Sequence, residues 1–328
     1  MKQLSPIQYQ LLEVLGDGTC HSGNALGQVL KVSRTAIWKQ INQLIAAGIP
    51  INRHAHKGYQ LNNPLKLLDL EAINKHLTTN QFPEPFNVHL FSTIDSTNRY
   101  LKELPKSQNL EICCAEQQTQ GRGRFDRQWH SPFGENIYFS GRWSLHCDLN
   151  KLSGLSLVIS LATLAMLKEL SPNEEIKVKW PNDILWQDKK LCGSLIEIQA
   201  ESNGQIHVII GIGLNVNSDT KNNPLPDKRW CSLYEIQSRQ FDRNLLIANL
   251  LIKLQNYLTL FINNGLASFI EEWNKSDYLA GKQITVTQSG NSIVGTALGI
   301  NPQGQLLLKD EQGIVHHLSS GDTTLKTK

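Results

Sequence analysis

The sequence lacks the signatures that most quickly assign a chain to a class. No window approaches the roughly 18 consecutive apolar residues of a membrane span. The opening MKQLSPIQYQLL holds one Lys and no apolar run ahead of a small-residue cleavage site, so no secretory leader and no membrane partner are expected and the chain reads as cytoplasmic. The six cysteines (Cys20, Cys113, Cys114, Cys147, Cys192, Cys231) include no C-x-x-C pair. A core of this size needs no disulfide staple, so they read as reduced and mostly as small buried hydrophobes. His54 with His56, and His316 with His317, each offer two metal ligands, but no third or fourth partner stands at finger-like spacing. No G-x-x-x-x-G-K-[ST] loop occurs, so any nucleotide is held by another device. Net charge is nearly absent as well, at +3.

That small sum conceals an uneven distribution. Residues 1–63 carry six basic residues (Lys2, Lys31, Arg34, Lys39, Arg53, Lys57) against Glu13 and Asp17, which leaves the other residues close to neutral. With 328 residues the chain is long for one core and suggests two or three domains. A small basic head on a neutral body suits a polyanion-binding module.

Within the head, Ile7, Leu11, Leu12 and Leu15 repeat at helical spacing until Gly16-Asp17-Gly18. Ser22 can cap a second helix with Leu26 and Leu30 inward, and Ser33 a third with Ile37, Ile41, Leu44 and Ile45 inward. The outward start of that third helix shows Arg34, Thr35, Trp38 and Lys39. Two short strands, Ile49 to Arg53 and Tyr59 to Leu61, then form a wing with Lys57 placed for a phosphate. Helix, tight turn and helix is an arrangement that enters a major groove. The bland alternative is a helical adaptor with a solvated basic face. Turn formers at Asn62-Asn63-Pro64 end the head.

Beyond it the pattern is α+β. Apolar runs at Val88 to Phe91, Ile112 to Ala115, Ile137 to Ser140, Ile176 to Trp180, Leu191 to Ile198 and His207 to Ile212 read as strands, and Leu152 to Leu170 as a buried helix. Ser96-Thr97-Asn98 is an N-cap by the plain reading and a set of ligand donors by the sharper one. The stretch from Gly121 to Trp129 packs three arginines and two glycines into nine residues, which supplies a close backbone and planar forks for carboxylate or phosphate. In a disordered tail such a composition would suggest RNA, but here it lies between strands of a folded body. A hairpin over Lys179-Trp180-Pro181-Asn182-Asp183 and Lys189-Lys190-Leu191-Cys192-Gly193 brings Asn182, Asp183 and Lys190 together, with Gly193 allowing close approach. Set near arginines these suit ATP and its magnesium, while a surface ion pair beside a turn is the alternative.

In combination, the G-R-G-R-x-x-R-x-W loop, K-W-P-N-D, K-K-L-C-G with Glu197, and the run Gly211 to Asn217 resemble the motifs of the biotin protein ligases. With its head, the chain is similar to the bifunctional branch of that family, which also represses a biotin operon. The resemblance spans essentially the full length. It implies a multidomain α+β fold: a winged helix-turn-helix over 1–63, a class II aminoacyl-tRNA synthetase-like mixed sheet with helices over 64–274, and an SH3-like β-barrel over 275–328, where Gly290, Gly295, Gly299, Gly304 and Gly313 fall in turns.

The activity so implied joins biotin to AMP from ATP and Mg2+, then moves biotin to a lysine of the biotin carboxyl carrier protein of acetyl-CoA carboxylase. Biotinyl-AMP would also act as corepressor, with a homodimer on operator DNA read by Ser33, Arg34, Thr35, Trp38, Lys39 and Lys57. By position, Ser96, Thr97, Asn98, Gln118, Gly121 and Arg122 would border biotin, Arg124 would order the loop, and Trp129 would close over the ligand. Arg127 would engage phosphates, Asn182 and Asp183 phosphate and metal, and Asn215 the nucleotide. Gly193 would receive the biotin tail, Trp230 would stack on adenine, and Lys190 would stand between carboxylate and α-phosphate. The sequence departs from many members at Phe125-Asp126, where they have Arg-Gly, which bears on loop motion and intermediate retention. The polar stretch Ser218 to Arg229 is expected to be a loop that orders on the adenylate. Competing readings are a lipoate ligase and a transcription regulator whose body only senses a ligand.

Overall fold

Ser5, Ser22 and Ser33 each accept a hydrogen bond from a backbone N–H three residues on, and each opens a helix of the head. These are α1 (Pro6–Leu15), α2 (Gly23–Val29) and α3 (Arg34–Ala46), followed by the antiparallel hairpin β1 (Ile51–His54) and β2 (Gly58–Leu61). The computed structural model describes residues 3–83, 85–170, 173–200, 205–219, 229–288 and 290–325. Leu11, Leu12, Leu15, Leu26, Ile37, Ile41 and Leu44 fill the head, whereas Leu30 and Ile45 are only half-buried at its margin. Phe133 of the body completes this cluster.

The connection is clamped rather than free. Arg243 is buried against Glu116, with Nη1 and Oε2 2.7 Å apart, and its Nη2 donates to the Lys66 carbonyl at 2.8 Å. Glu116 Oε1 accepts from Leu68 N–H at 2.5 Å. A buried pair with its remaining atoms satisfied fixes geometry more surely than it adds stability.

The body continues with α4 (Leu70–Thr79), β3 (Phe86–Phe91), α5 (Thr97–Glu103), β4 (Leu110–Ala115), β5 (Ile137–His146), α6 (Leu155–Leu170), β6 (Ile176–Lys179), β7 (Asp183–Trp186), β8 (Lys189–Ala200) and β9 (Gln205–Leu214). After them come α7 (Leu233–Gln237), α8 (Arg243–Asn264) and α9 (Ile270–Ser276). The seven strands are ordered β3-β4-β5-β9-β8-β7-β6, with β3 and β4 parallel and the other pairs antiparallel.

Strand alternation explains how this sheet has two unlike faces. Ile112 and Cys114, then Ile210, Ile212 and Leu214, join the main core beneath α6 and α8. Cys113, Ala115 and Ile209 point the other way, against Leu101 of α5. On that second face β9 continues with Gly211 and Gly213, so the sheet there is bare.

At the C-terminus β10 (Gln283–Gln288), β11 (Asn291–Ile300), β12 (Leu306–Lys309), β13 (Val315–Leu318) and β14 (Asp322–Leu325) form an antiparallel sheet in the order β13-β12-β11-β10-β14. The closed barrel expected from the resemblance is absent among the described residues, where β13 and β14 are opposite edges. The free side of β14 turns to the body instead: the Thr323 carbonyl accepts from Lys179 Nζ at 2.6 Å. Of the expected loop Ser218 to Arg229, residues 220–228 lie outside the described residues. Ser218 belongs to the fold, because it is buried and its carbonyl accepts from Ser232 Oγ at 2.6 Å.

Candidate active site

A cavity of about 670 Å³ opens over the bare face of the sheet, between α5, the Gly121 to Trp129 segment, the β7–β8 hairpin and β14. It is bordered by every expected site residue of the body except Gly121, which packs against Gln118, Trp129 and Ser131. The plain reading of Ser96-Thr97-Asn98 as an N-cap holds, and all three residues also border the cavity. Ser96 caps α5, while Thr97 N–H and Oγ1 donate to Gln118 Oε1 at 2.9 and 3.1 Å. Gln118 Nε2 donates to Ser131 Oγ at 3.2 Å. Ser140 Oγ lies 2.7 Å from Thr97 Oγ1 and donates to Asn98 Oδ1 at 2.6 Å. Asn98 Nδ2 in turn donates to Glu197 Oε2 at 2.9 Å, and Arg122 and Lys102 pair with the same carboxylate. Burial opposes ionisation of Glu197, but the Asn98 hydrogen bond and the two cations outweigh it and hold the carboxyl below its usual range.

Three glycines make room for this layer. A Cβ on Gly211 would lie 2.1 Å from Asn98 Oδ1, and one on Gly213 would lie 2.4 Å from the Trp129 indole. At Gly193 it would meet Lys190 Cε at 2.9 Å. Gly211 and Gly213 escaped the residue-by-residue reading, although two glycines at a spacing of two in a strand mark one open face.

The arginine-rich segment forms a closed tongue. Trp129 N–H donates to the Gly121 carbonyl at 2.9 Å, Gly123 N–H to the Arg127 carbonyl at 2.7 Å, and a single 3-10 turn spans Arg124 to Asp126. Phe125 and Asp126 both take left-handed φ, 55° and 56°, and Phe125 is 62% exposed. A non-glycine residue there is strained, so this tip carries the consequence of the Phe-Asp departure.

Six basic side chains (Arg122, Arg124, Arg127, Lys179, Lys190, Arg229) face three acidic ones (Asp183, Asp188, Asp322) around the cavity, an excess of three positive charges. Lys190 Nζ is 2.7 Å from Asp183 Oδ1 and 5.3 Å from the centroid of the Trp129 ring. Arg124 donates to Asn182 Oδ1 at 3.2 Å, and Asn182 Nδ2 to the Ser194 carbonyl at 2.6 Å. Arg127 donates to Asp322. Burial pulls the Arg124 guanidinium and the Lys179 ammonium below their ordinary values, so both cations would gain from an anion brought to them. Lys179 and Asp322 were not singled out from sequence, and nothing near Asp322 signals a site some 130 residues upstream.

Trp230 is held beside Lys190 by a backbone bridge, with Cys231 N–H donating to the Lys190 carbonyl at 3.0 Å. Asn215 Nδ2 donates to the Lys190 and Cys231 carbonyls at 3.2 and 3.0 Å, so it secures the Trp230 segment. Cys192 and Cys231 are pushed up to about 12 by burial and stay thiols. Arg122 Nε, Trp129 Nε1 and Ser194 Oγ are buried without a hydrogen-bond partner. Unsatisfied buried donors cost on the order of 1–3 kcal/mol each, which favours a polar ligand at these atoms. In the head, Ser33 caps α3, and Arg34, Thr35, Trp38, Lys39 and Lys57 are all exposed.

Residues 90–215 match the Biotin/lipoate A/B protein ligase family, 8–60 an HTH domain, and 280–323 the Biotin protein ligase C terminal domain. The chain is 35% identical to the Bifunctional ligase/repressor BirA of Salmonella typhimurium, covering 97% of both chains. With its Escherichia coli counterpart it shares 34% identity over 98% of both. The chain belongs to the bifunctional biotin ligase/repressor family. A biotin protein ligase from Aquifex aeolicus, solved in complex with biotin and ATP, superimposes with a TM-score of 0.62 at 29% identity, covering 74% of this chain and 99% of that one. As a family member the chain combines an N-terminal helix-turn-helix domain, a central biotin ligase fold with a mixed sheet, and a C-terminal antiparallel sheet.

Proposed function

We propose that the cavity activates biotin as biotinyl-5′-AMP and passes it to a lysine of a biotin carboxyl carrier protein. The observation that carries this is the meeting of a neutral hydrogen-bonding end, Thr97, Asn98 and Gln118, with a strongly basic end, across Lys190 and Trp129. Biotin's ring system takes the first end, stacked beneath Trp129, and the ATP phosphates take the second. Its carboxylate oxygen attacks the α-phosphorus, and the bond to pyrophosphate breaks. Because two anions must meet, the protein's main task is placed positive charge. Lys190 supplies it at the reacting atoms, Arg124 orders the tongue, and Arg127 engages the phosphates. Asn182 and Asp183 would hold phosphate and an Mg2+ ion, which would screen the negative charge of the phosphates. A single carboxylate suits a magnesium ion that arrives on the nucleotide. Trp230 stacks on adenine. In the second step the carrier's lysine amine attacks the acyl carbonyl and AMP leaves.

The repressor half rests on the head and on a sheet edge. β7 pairs with β8 only up to Gly193, while β9 follows β8 to Ala200. From Leu195 to Ala200 the other side of β8 therefore has no strand partner among the described residues, and Ile198 there is 45% exposed. We place the carrier domain, or a second copy of the adenylate-loaded chain, on this edge. The C-terminal sheet corresponds to the SH3-like domain of the family. A lipoate ligase shares the chemistry, and a pure sensor would not need Lys190 and Arg127 at the phosphates.

One assay separates these readings: ATP with biotin or with lipoate, followed through pyrophosphate release and transfer to a carrier domain. Release with biotin alone is expected, and no release with biotin would overturn the proposal. Sedimentation with and without biotinyl-AMP tests the dimer.

A further inference from the structure

The adenylation reading gives no task to the one carboxylate that the C-terminal sheet lends to the cavity. Asp322 opens β14 and accepts a hydrogen bond from Arg127. Its strand is firmly placed: Thr287 pairs with Asp322 in the ladder with β10, the Thr323 carbonyl accepts from Lys179 Nζ at 2.6 Å, and Thr323 Oγ1 donates to the Trp180 carbonyl at 3.3 Å. Arg127 is the opposite case. It follows the two left-handed residues of the tongue and its side chain is 59% exposed. Burial disfavours the Asp322 anion, yet Arg127 and then Lys179 and Arg124 more than offset it, so the carboxyl is held below its usual range.

An anion fixed by its strand thus holds an exposed cation at the phosphate end of the cavity. Carboxylate and phosphate compete for the same guanidinium fork, and the more highly charged of the two wins. Resting on the proposed adenylation, we infer that Asp322 is a positioning residue that competes with the polyphosphate for Arg127, so that Arg127 engages while pyrophosphate is present and returns to Asp322 once it has left. The physical consequence is a site whose affinity for pyrophosphate is kept low after the adenylate forms. That limits the reverse reaction and leaves the uncharged acyl end undisturbed.

The test is calorimetric titration of magnesium pyrophosphate into the full-length chain and its Asp322→Asn, Asp322→Glu, Arg127→Ala and Arg127→Ala/Asp322→Asn variants. An exposed ion pair is worth up to about 1 kcal/mol, which is about fivefold in affinity. Asp322→Asn is expected to bind pyrophosphate up to about fivefold more tightly, Asp322→Glu to match the parent, and the gain to vanish when Arg127 is absent. A merely structural strand residue would show neither the gain nor its dependence on Arg127. Unchanged or weaker binding by Asp322→Asn overturns the inference, as does an equal gain in the Arg127→Ala background. Biotin-dependent pyrophosphate release by the parent chain is measured separately, so a failure of this competition is told apart from a failure of the adenylation reading.

Discussion

Lys190 and Gly193 lie on the same face of β8 although they stand three positions apart, with Lys190 Cε 2.9 Å from where a Gly193 Cβ would stand. In a regular strand a spacing of three puts two residues on opposite faces. The register explains the exception: Ile184 pairs with Cys192 but Leu185 with Lys190, so Leu191 is an extra residue and the strand carries a bulge. The bulge turns Lys190 into the cavity, where its Nζ lies 2.7 Å from Asp183 Oδ1.

This placement gives the first expectation. Lys190→Ala removes the cation nearest the reacting atoms and should lower kcat for biotin-dependent pyrophosphate release by about 10²–10³-fold, the usual cost of one preorganised donor. Biotin affinity should change far less. Steady-state kinetics with separate kcat and KM for biotin decide it, and a loss confined to KM would show that Lys190 only binds.

The bare floor of the site is tested by adding one carbon. Gly213→Ala places a methyl 2.4 Å from the Trp129 ring, which must shift, so biotin affinity should fall at least about tenfold and stability by about 1–3 kcal/mol. Gly123→Ala in the tongue is the contrast, because its nearest neighbour, the Arg127 carbonyl oxygen, is at an ordinary 3.5 Å. Titration of biotin into both variants, with thermal unfolding alongside, should separate them clearly.

How far the site was legible follows from the same geometry. Arg124, Asp183 and Lys190 announce themselves because charge and glycine cluster locally, and Ser33 and Ser96 because a cap precedes a helical pattern. The bulge at Leu191 is invisible to a period-two reading, which would have turned Lys190 away from Gly193. Asp322 is hidden for another reason: its meaning comes only from Arg127, which the fold brings from a distant loop. The strand order at the C-terminus is hidden likewise, since β14 pairs with β10 across more than thirty residues that include three other strands.

Asp277, at the junction of α9 and β10, offers a test by pH. Its Oδ1 accepts from Leu279 N–H at 2.8 Å, and burial pushes its pKa up more than its hydrogen bonds pull it down. An acid whose folded pKa is raised holds its proton more tightly when folded. The native state therefore loses stability as pH rises from the unfolded value, about 3.9, through the raised one. Asp277→Asn keeps the acceptor and removes the charge. It should melt a few degrees higher than the parent at pH 7, with the gap closing near pH 4. A gap that stayed constant across that range would mean the charge is not the cause.

The head provides the last expectation, because its exposed residues divide by what each can contact. Lys57 projects from the turn of the wing and Arg34 from the first turn of α3, both placed for phosphates. Each phosphate contact releases about 0.9 of a counterion, so Lys57→Ala and Arg34→Ala should each reduce the slope of log K against log salt by about one. Trp38 carries no charge but is 54% exposed on the same helix, so Trp38→Ala should change the preference among DNA sequences and leave the slope alone. Arg53 donates to Asn42 and should matter less than Lys57. Salt-dependent binding isotherms with operator and unrelated duplexes distinguish the two kinds of residue. Slopes equal to the parent's in all three variants would show that the basic excess of the head is a solvated face and not a phosphate-binding one.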